Sequence, residues 1–365
     1  MAGVYLSYPF CAQKCTYCNF ASGVLPKELE PRYRSALLRE IAAQDWNWTP
    51  NTVYLGGGTP SLLKPDALLE ILKAIPGAPW VEATMEAAPG SFNRETIKAW
   101  RTAGINRVSL GAQSFVQTEL AKTGRKHTPK IVESDVAALR AEGIAEINID
   151  LIAGLAGQTL ATFRESLDWV EKLAAPHVSV YMLEVDEDSR LGLEILQGGS
   201  RYGAGAIPTA EAITDFYELA VERLATLGIA RYEISNFARP GSESMHNLKY
   251  WRLDPYIGFG ADAHSLDQGR RWQNFDSVTE YVERVTSGGS AKSESTGAAP
   301  HEERFFVGLR LSEGVEPTPA EWRRFEKPFA RFVDAGLLER AGPRIRLTPR
   351  GVLLSNEVFE EFVNL

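Results

Sequence analysis

An α/β fold built on a parallel sheet, followed by a smaller helical unit with a β-wing, is what this sequence predicts. Three observations carry that expectation. Six short runs rich in β-branched residues alternate with longer amphipathic stretches from the amino terminus onward, and strands alternating with helices form parallel sheets. Gly104 and Gly143 each stand just past a helical stretch, where a left-handed cap belongs. Past residue 300 the rhythm changes to helical stretches and one pair of short β-prone runs.

Taken in order, the strands fall at Val4–Leu6, Thr52–Leu55, Val81–Met85, Arg107–Leu110, Glu146–Leu151 and Val178–Leu183, on their short length and β-branched content. The helices between them are expected at Glu30–Asp45, Pro65–Ala74, Asn93–Ala103, Lys130–Ala141 and Leu160–Ala174, with a long one at Ala210–Leu227. The Gly/Ser/Ala stretch from Thr286 to Pro300 reads as a flexible linker. Beyond it, His301–Leu311 and Pro319–Ala335 are expected as helices. Gly336–Arg340 and Arg344–Thr348 make a small wing before a last helix, Pro349–Phe362. The expected units are residues 1–230, a connecting region 231–290 and a winged-helix-like unit 291–365.

Composition narrows the setting. Hydrophobic residues at 44% and charged ones at 24% are ordinary for a soluble globular protein. The amino terminus enters the first strand with no basic, apolar and cleavage-site succession, so no signal peptide is expected. No apolar run is long enough to cross a bilayer. A net charge of −8 argues against a general affinity for nucleic acid, which comes largely from neutralising phosphates. The Arg-rich stretch from Pro319 to Arg350 therefore reads as a solvated surface.

All three cysteines lie in Cys11-Ala12-Gln13-Lys14-Cys15-Thr16-Tyr17-Cys18. An odd, clustered count argues against a disulfide framework and for a reducing, cytoplasmic compartment. Three thiolates around one loop suit a metal centre, but a closed structural zinc site wants four ligands. No histidine precedes His127 to complete the set. On a cubic iron–sulfur cluster, which usually has four cysteine ligands, three would leave one iron open to a substrate or cofactor. Strand ends are the second signal, because a parallel barrel carries its chemistry there. The second strand ends in Gly56-Gly57-Gly58-Thr59-Pro60, a run without the Lys-Ser/Thr of a phosphate loop. The third ends in Glu86, the fourth in Gln113 and the fifth in Asp150, polar side chains of the kind that orient a polar ligand.

The C-x-x-x-C-x-x-C spacing, with Tyr5-Leu6-Ser7-Tyr8-Pro9-Phe10 before it and Asn19-Phe20 after it, resembles the HemN-like branch of radical S-adenosylmethionine (SAM) enzymes. Within that branch it is most similar to the HemW-type haem chaperones. The resemblance implies a partial (β/α)6 barrel, open on one side, which spacing alone does not separate from a doubly wound sheet. It implies a [4Fe–4S] cluster on Cys11, Cys15 and Cys18, with the amino and carboxylate groups of SAM on the open iron. It also implies a SAM site of Tyr5, Tyr17, Gly57, Gly58, Thr59, Glu86, Gln113, Arg125 and Asp150, closed near Glu184. Three positions depart from the family pattern: Ala88 where asparagine is common, Ala156 where proline is common, and Asp262 where glycine is usual, in the loop carrying His264.

Further on comes His246-Asn247-Leu248-Lys249-Tyr250-Trp251. A lone His-Asn pair is more often a hydrogen-bonded loop histidine. The order H-N-x-x-Y-W resembles the HemW-type signature, which implies haem as cargo, with His246 as an axial or near-axial ligand, Tyr250 and Trp251 packing beside the macrocycle and Asn247 in the same haem-binding set. The implied partners are haem-receiving apoproteins such as respiratory haem enzymes, and an electron donor to the cluster. Peripheral membrane association and a homodimer stay open. The competing functions are an oxygen-independent coproporphyrinogen III dehydrogenase and a HemN-like radical SAM methyltransferase or cyclopropanase. HemN-type dehydrogenases carry a further cysteine where this chain has Phe20, which favours the chaperone.

Overall fold

In a computed structural model, which describes residues 1–297 and 300–363, six parallel strands form the centre of the molecule. They are β1 (Ala2–Tyr8), β2 (Pro50–Gly57), β3 (Glu82–Ala87), β4 (Arg107–Gln113), β5 (Glu146–Ala153) and β6 (His177–Met182), paired in sequence order. Beyond β6 the sheet turns antiparallel through β7 (Ala230–Arg231) and β8 (Asn236–Ala238), β8 lying against β6. On the other flank β9 (Tyr256–Phe259) runs parallel to β1. It is followed by antiparallel β10 (His264–Asp267), β11 (Arg270–Asn274) and β12 (Lys292–Gly297). The strand order runs from β12 to β7 without the two ends pairing, so the barrel is open.

Each central strand shows two chemistries, because successive side chains point to opposite faces. Val4, Leu6, Val53, Leu55, Ala83, Met85, Val108, Leu110, Ile147, Ile149, Val178 and Val180 are buried in the main core, where the crossover helices supply Leu37, Leu68, Trp100, Val136 and Leu167. The alternate positions are Tyr5, Tyr54, Glu86, Ser109, Asn148, Asp150, Ser179 and Tyr181. Parallel strands are usually apolar on both faces. A polar inner face of this kind is a lumen for a polar ligand.

The Ser/Gly stretch after Thr286 departs from the linker expectation. Lys292–Gly297 pairs with Arg270–Asn274 as the sheet's outermost strand, and the Lys292 ammonium sits 4.0 Å from the Trp272 ring centre. Composition scores side chains, whereas an edge strand is recruited by backbone hydrogen bonds and is commonly polar and lysine-bearing. Residues 298–299 of that stretch lie outside the described residues.

The carboxy-terminal unit has its own aromatic centre. Phe305, Phe325, Phe329 and Phe362 are all buried, with ring centres 4.8–5.9 Å apart. Its wing is β13 (Leu338–Ala341) against β14 (Arg344–Leu347). The single helix expected over Pro319–Ala335 is two, Pro319–Arg324 and Glu326–Asp334. Pro328 is the reason. In a continuous helix its ring would strike the carbonyl of Arg324, so the chain breaks at Phe325 and places Pro328 in a new first turn. The last helix is likewise two, Pro349–Leu353 and Ser355–Val363.

Candidate functional site

The cysteine loop leaves the carboxyl end of β1 and is tied down by backbone bonds. Cys11 N–H donates to Gly23 O (2.9 Å), Gly23 N–H to Pro9 O (2.9 Å) and Leu191 N–H to Thr16 O (2.8 Å). Lys14 Nζ spans the loop to Phe20 O and Ser22 O. All three cysteines are free and half-buried. Burial pushes the Cys11 thiol up, opposed by hydrogen bonds from Ser22 and Thr59. Among the described residues no three His, Cys, Asp or Glu side chains converge on one point as they would around a single ion. Three thiols on one tethered loop are one ligand short of a closed zinc site and fit a cubic cluster with one open iron.

The glycine run after β2 closes onto this loop. Gly58 N–H donates to Tyr8 O (2.8 Å) and Thr59 N–H to Phe10 O (2.9 Å). A Cβ at Gly58 would lie 2.7 Å from Tyr8 O and 2.8 Å from Phe10 O, so no other residue fits there without a backbone shift. The close approach that requires glycine at 58 is thus to the chain's own cysteine loop. Gly57 holds φ at +102°, a region open chiefly to glycine.

The lumen carries acidic and basic groups within electrostatic reach of one another. Tyr54 O–H donates to Glu86 Oε1 (2.9 Å), and burial pushes the Glu86 carboxyl up to about 7. Asp150 accepts from Ser109 Oγ (3.0 Å) and Asn148 Nδ2 (2.7 Å), and burial raises it too. Arg125 is buried beside Tyr17 and Cys15 and donates to Gly111 O (3.1 Å), while its Nε has no partner. Gln113 ends β4 at an irregular register with φ of +66°, and its amide and the Arg125 guanidinium both lie over Gly111. A non-glycine residue in that region is strained, and such strain gathers at ligand sites. Two buried carboxyl groups and a buried guanidinium with one donor still unpartnered complement a molecule carrying an ammonium and a carboxylate.

The H-N-x-x-Y-W segment lies at the opposite, amino-terminal end of the strands. Ser244 caps the helix Met245–Arg252. Ser244 Oγ and the backbone N–H groups of Met245 and His246 all donate to Glu82 at the start of β3. His246 is fully buried. Its Nδ1 is 2.8 Å from Thr52 Oγ1, its Nε2 is 2.9 Å from the Tyr250 hydroxyl, and its ring stacks on Tyr54. Burial pushes it down to about 3, so it is neutral. With both nitrogens hydrogen-bonded, one of these contacts must open before His246 can reach an iron. Tyr250 packs edge-on against Tyr256, and Asn247 N–H completes the cap with Ser244 Oγ. Only Trp251 turns outward, toward the carboxy-terminal unit, where it meets Arg310.

The sequence reading missed Tyr54, Ser109, Asn148, Ser179 and Tyr181 as lumen residues. Their signal was present as polar residues at alternate positions of apolar runs, Asn148/Asp150 and Ser179/Tyr181. Asp262 keeps the left-handed backbone a glycine would take (φ +60°). Its carboxylate accepts from Gln273 Nε2 (2.8 Å), so the departure from glycine does not unmake the loop.

An open parallel barrel with a three-cysteine loop at its carboxyl end, covered by a winged-helix-like unit, defines a radical SAM protein of HemN-type architecture. The Radical SAM superfamily profile matches residues 5–170 and that of the HemN C-terminal domain residues 298–354. The coproporphyrinogen III oxidase HemN from Escherichia coli shares the fold, with a TM-score of 0.85 over 100% of this chain and 90% of that one, at 21% identity. The heme chaperone HemW of Bacillus subtilis is 33% identical over 386 residues, covering 100% of this chain and 99% of the relative. HemW of Mycobacterium tuberculosis H37Rv is 36% identical over 372 residues, covering 98% and 93%. The chain belongs to the HemW family.

Proposed function

We propose that this protein is a haem chaperone, which holds a [4Fe–4S] cluster on Cys11, Cys15 and Cys18, binds SAM in the lumen beneath them and passes haem to apoproteins. The observation that supports the SAM part is the buried Arg125, one of its donors unpartnered, beside Tyr17 and Cys15 and within electrostatic reach of Asp150. Arg125 takes the SAM carboxylate as a charge-assisted hydrogen bond, and Glu86 and Asp150 draw the cationic end. Tyr5, Tyr17, Gly57, Gly58, Thr59 and Gln113 complete that site. The bound cofactors would supply reductive cleavage of a carbon–sulfur bond; the chain's part is ligation, orientation and exclusion of water.

The haem part rests on the HemW relatives, which are named heme chaperones. Of the chain's five histidines, His177 and His246 have both nitrogens hydrogen-bonded, and His127 is buried against Ala112 O. The side chain of His301 is outside the described residues. His264, exposed at the start of β10, makes no side-chain hydrogen bond among the described residues, and it is proposed as an axial imidazole beside His246, whose segment with Asn247, Tyr250 and Trp251 stays the proposed haem site. The three domains of the sequence reading, 1–230, 231–290 and 291–365, remain part of the proposal, with β12 assigned to the barrel sheet. No helix among the described residues is long and apolar enough to cross a membrane; a cytoplasmic location belongs to the proposal. Anaerobic titration of the reconstituted protein with haem, beside incubation with coproporphyrinogen and SAM, tests the reading. Stoichiometric haem binding without decarboxylated product is expected. Decarboxylation without haem binding replaces the chaperone by the dehydrogenase.

Binding of SAM should depend on pH through Glu86. Its carboxyl is raised to about 7, so it is largely neutral below that and charged above. A cationic ligand prefers the carboxylate. Affinity should therefore rise by up to tenfold per pH unit as pH approaches 7 from below. It should level off above. Equilibrium dialysis of SAM between pH 5.5 and 8 reads this, and Glu86→Gln should flatten the rise. A rise that survives in Glu86→Gln moves the titrating group elsewhere.

A further inference from the structure

Where the open side of the barrel meets the carboxy-terminal unit, Arg310 follows the helix Pro300–Gly308. Its guanidinium lies 4.8 Å from the Trp251 ring centre and 5.4 Å from that of Phe359, so two aromatic rings flank it and limit its motion. Backbone pairing of Glu233 with Leu311 fastens this corner to the strand region after β7. Glu233 and Glu184 are the acidic groups that act on Arg310 electrostatically, and Glu233 also acts on the lumen residue Tyr181. Arg310 therefore stands at the rim of the same lumen.

Among the described residues the Arg310 side chain makes no hydrogen bond and no ion pair within 4 Å, although two carboxylates are near. Its Nε is buried without a partner, and so is Nε1 of Trp251, the ring it stacks on. Two orphaned donors on neighbouring groups are costly to keep, and a guanidinium confined between two rings loses little freedom on binding a planar oxyanion through its fork. Glu233 is a poor competitor for it. Burial raises that carboxyl, and its oxygens already serve Ser235 N–H and Asn236. Aromatic walls beside an unpaired cation suit a flat apolar molecule that carries a carboxylate at its edge.

We infer that Arg310, held between Trp251 and Phe359 at the lumen rim, binds a carboxylate group of the cargo, so that the protein recognises a porphyrin by its acidic edge as well as by its metal. This rests on the proposed haem reading and deepens it. With haem the group would be a propionate, and no covalent step is involved.

Haem and haem dimethyl ester, whose propionates are blocked, separate the two recognitions. Each is titrated by absorbance into the reconstituted wild type and into Arg310→Gln and Arg310→Lys. The wild type should prefer the free acid by about ten- to a hundred-fold, the range of one charge-assisted contact. Arg310→Gln should bring the ratio close to one, and Arg310→Lys, which keeps the charge without the fork, should retain part of it. Iron content, SAM affinity and melting temperature should stay at wild-type values, which separates a lost contact from a lost fold. Equal affinity of the wild type for acid and ester, or an undiminished preference in Arg310→Gln, overturns the inference while leaving haem binding in place. If the wild type binds neither porphyrin, the chaperone reading fails and the inference falls with it. Should Arg310→Gln prove unstable, the lysine variant decides, since full wild-type preference there removes the bidentate contact.

Discussion

Replacing any one of Cys11, Cys15 and Cys18 with alanine is expected to remove most of the iron and labile sulfide from anaerobically purified protein. The chain has no fourth cysteine to substitute. A cluster with three ligands already has one iron without a protein donor, and two cannot hold it against exchange with solvent thiols. The fold should survive. The loop's path is set by Cys11 N–H to Gly23 O, Gly58 N–H to Tyr8 O and Leu191 N–H to Thr16 O, none of which uses a thiol. Iron and sulfide should fall at least tenfold while the far-ultraviolet circular dichroism is retained. Stoichiometric zinc without sulfide in the wild type, or undiminished iron in the variants, would end the cluster assignment.

The parts of the fold legible in the sequence were those set by local periodicity. The six central strands and their helices lie within a few residues of expectation because β-branched runs and helical spacing are short-range properties. Gly104 and Gly143 take the expected positive φ, at +101° and +84°. The flanking strands β9 to β12 were less visible. Their pairing depends on backbone contacts with residues far away in sequence, and Lys292–Gly297 looks like a linker until Trp272 and the free edge of β11 are placed beside it.

The site divides in the same way. Spacing revealed the three cysteines, and strand ends revealed Glu86, Gln113 and Asp150, since both are linear patterns. That Arg125 comes to lie beside Tyr17 and Cys15 could be suggested only by resemblance. No linear pattern shows that the H-N-x-x-Y-W segment sits at the far end of the strands. Its placement is set by Glu82, which accepts three donors from the helix cap and has Arg107 3.9 Å away. These bonds fasten the helix that carries the motif to the amino-terminal ends of the strands.

His246→Ala is accordingly expected to act on stability first. The substitution strips Thr52 Oγ1 and the Tyr250 hydroxyl of a buried partner, at about 1–3 kcal/mol for each group left unsatisfied. It also removes a ring stacked 5.3 Å from that of Tyr54, leaving a cavity. Together these place the loss at about 3–5 kcal/mol, in the range reserved for breaking a buried network. His246→Phe keeps the ring stacking and loses only the two hydrogen bonds, so it should be the milder variant and the better one for binding work. Because one of its two hydrogen bonds must open before the imidazole can reach an iron, haem bound to His246→Phe should show the wild-type Soret band and nearly the wild-type affinity if both stay closed on binding. His264→Ala, by contrast, should shift the band if an imidazole ligates the iron. A stable His246→Phe protein with a shifted Soret band and haem affinity reduced tenfold or more would mean that the helix Met245–Arg252 leaves Glu82 to present His246 to the metal. Loosening the three cap bonds with Glu82→Gln would then be expected to strengthen haem binding rather than weaken it.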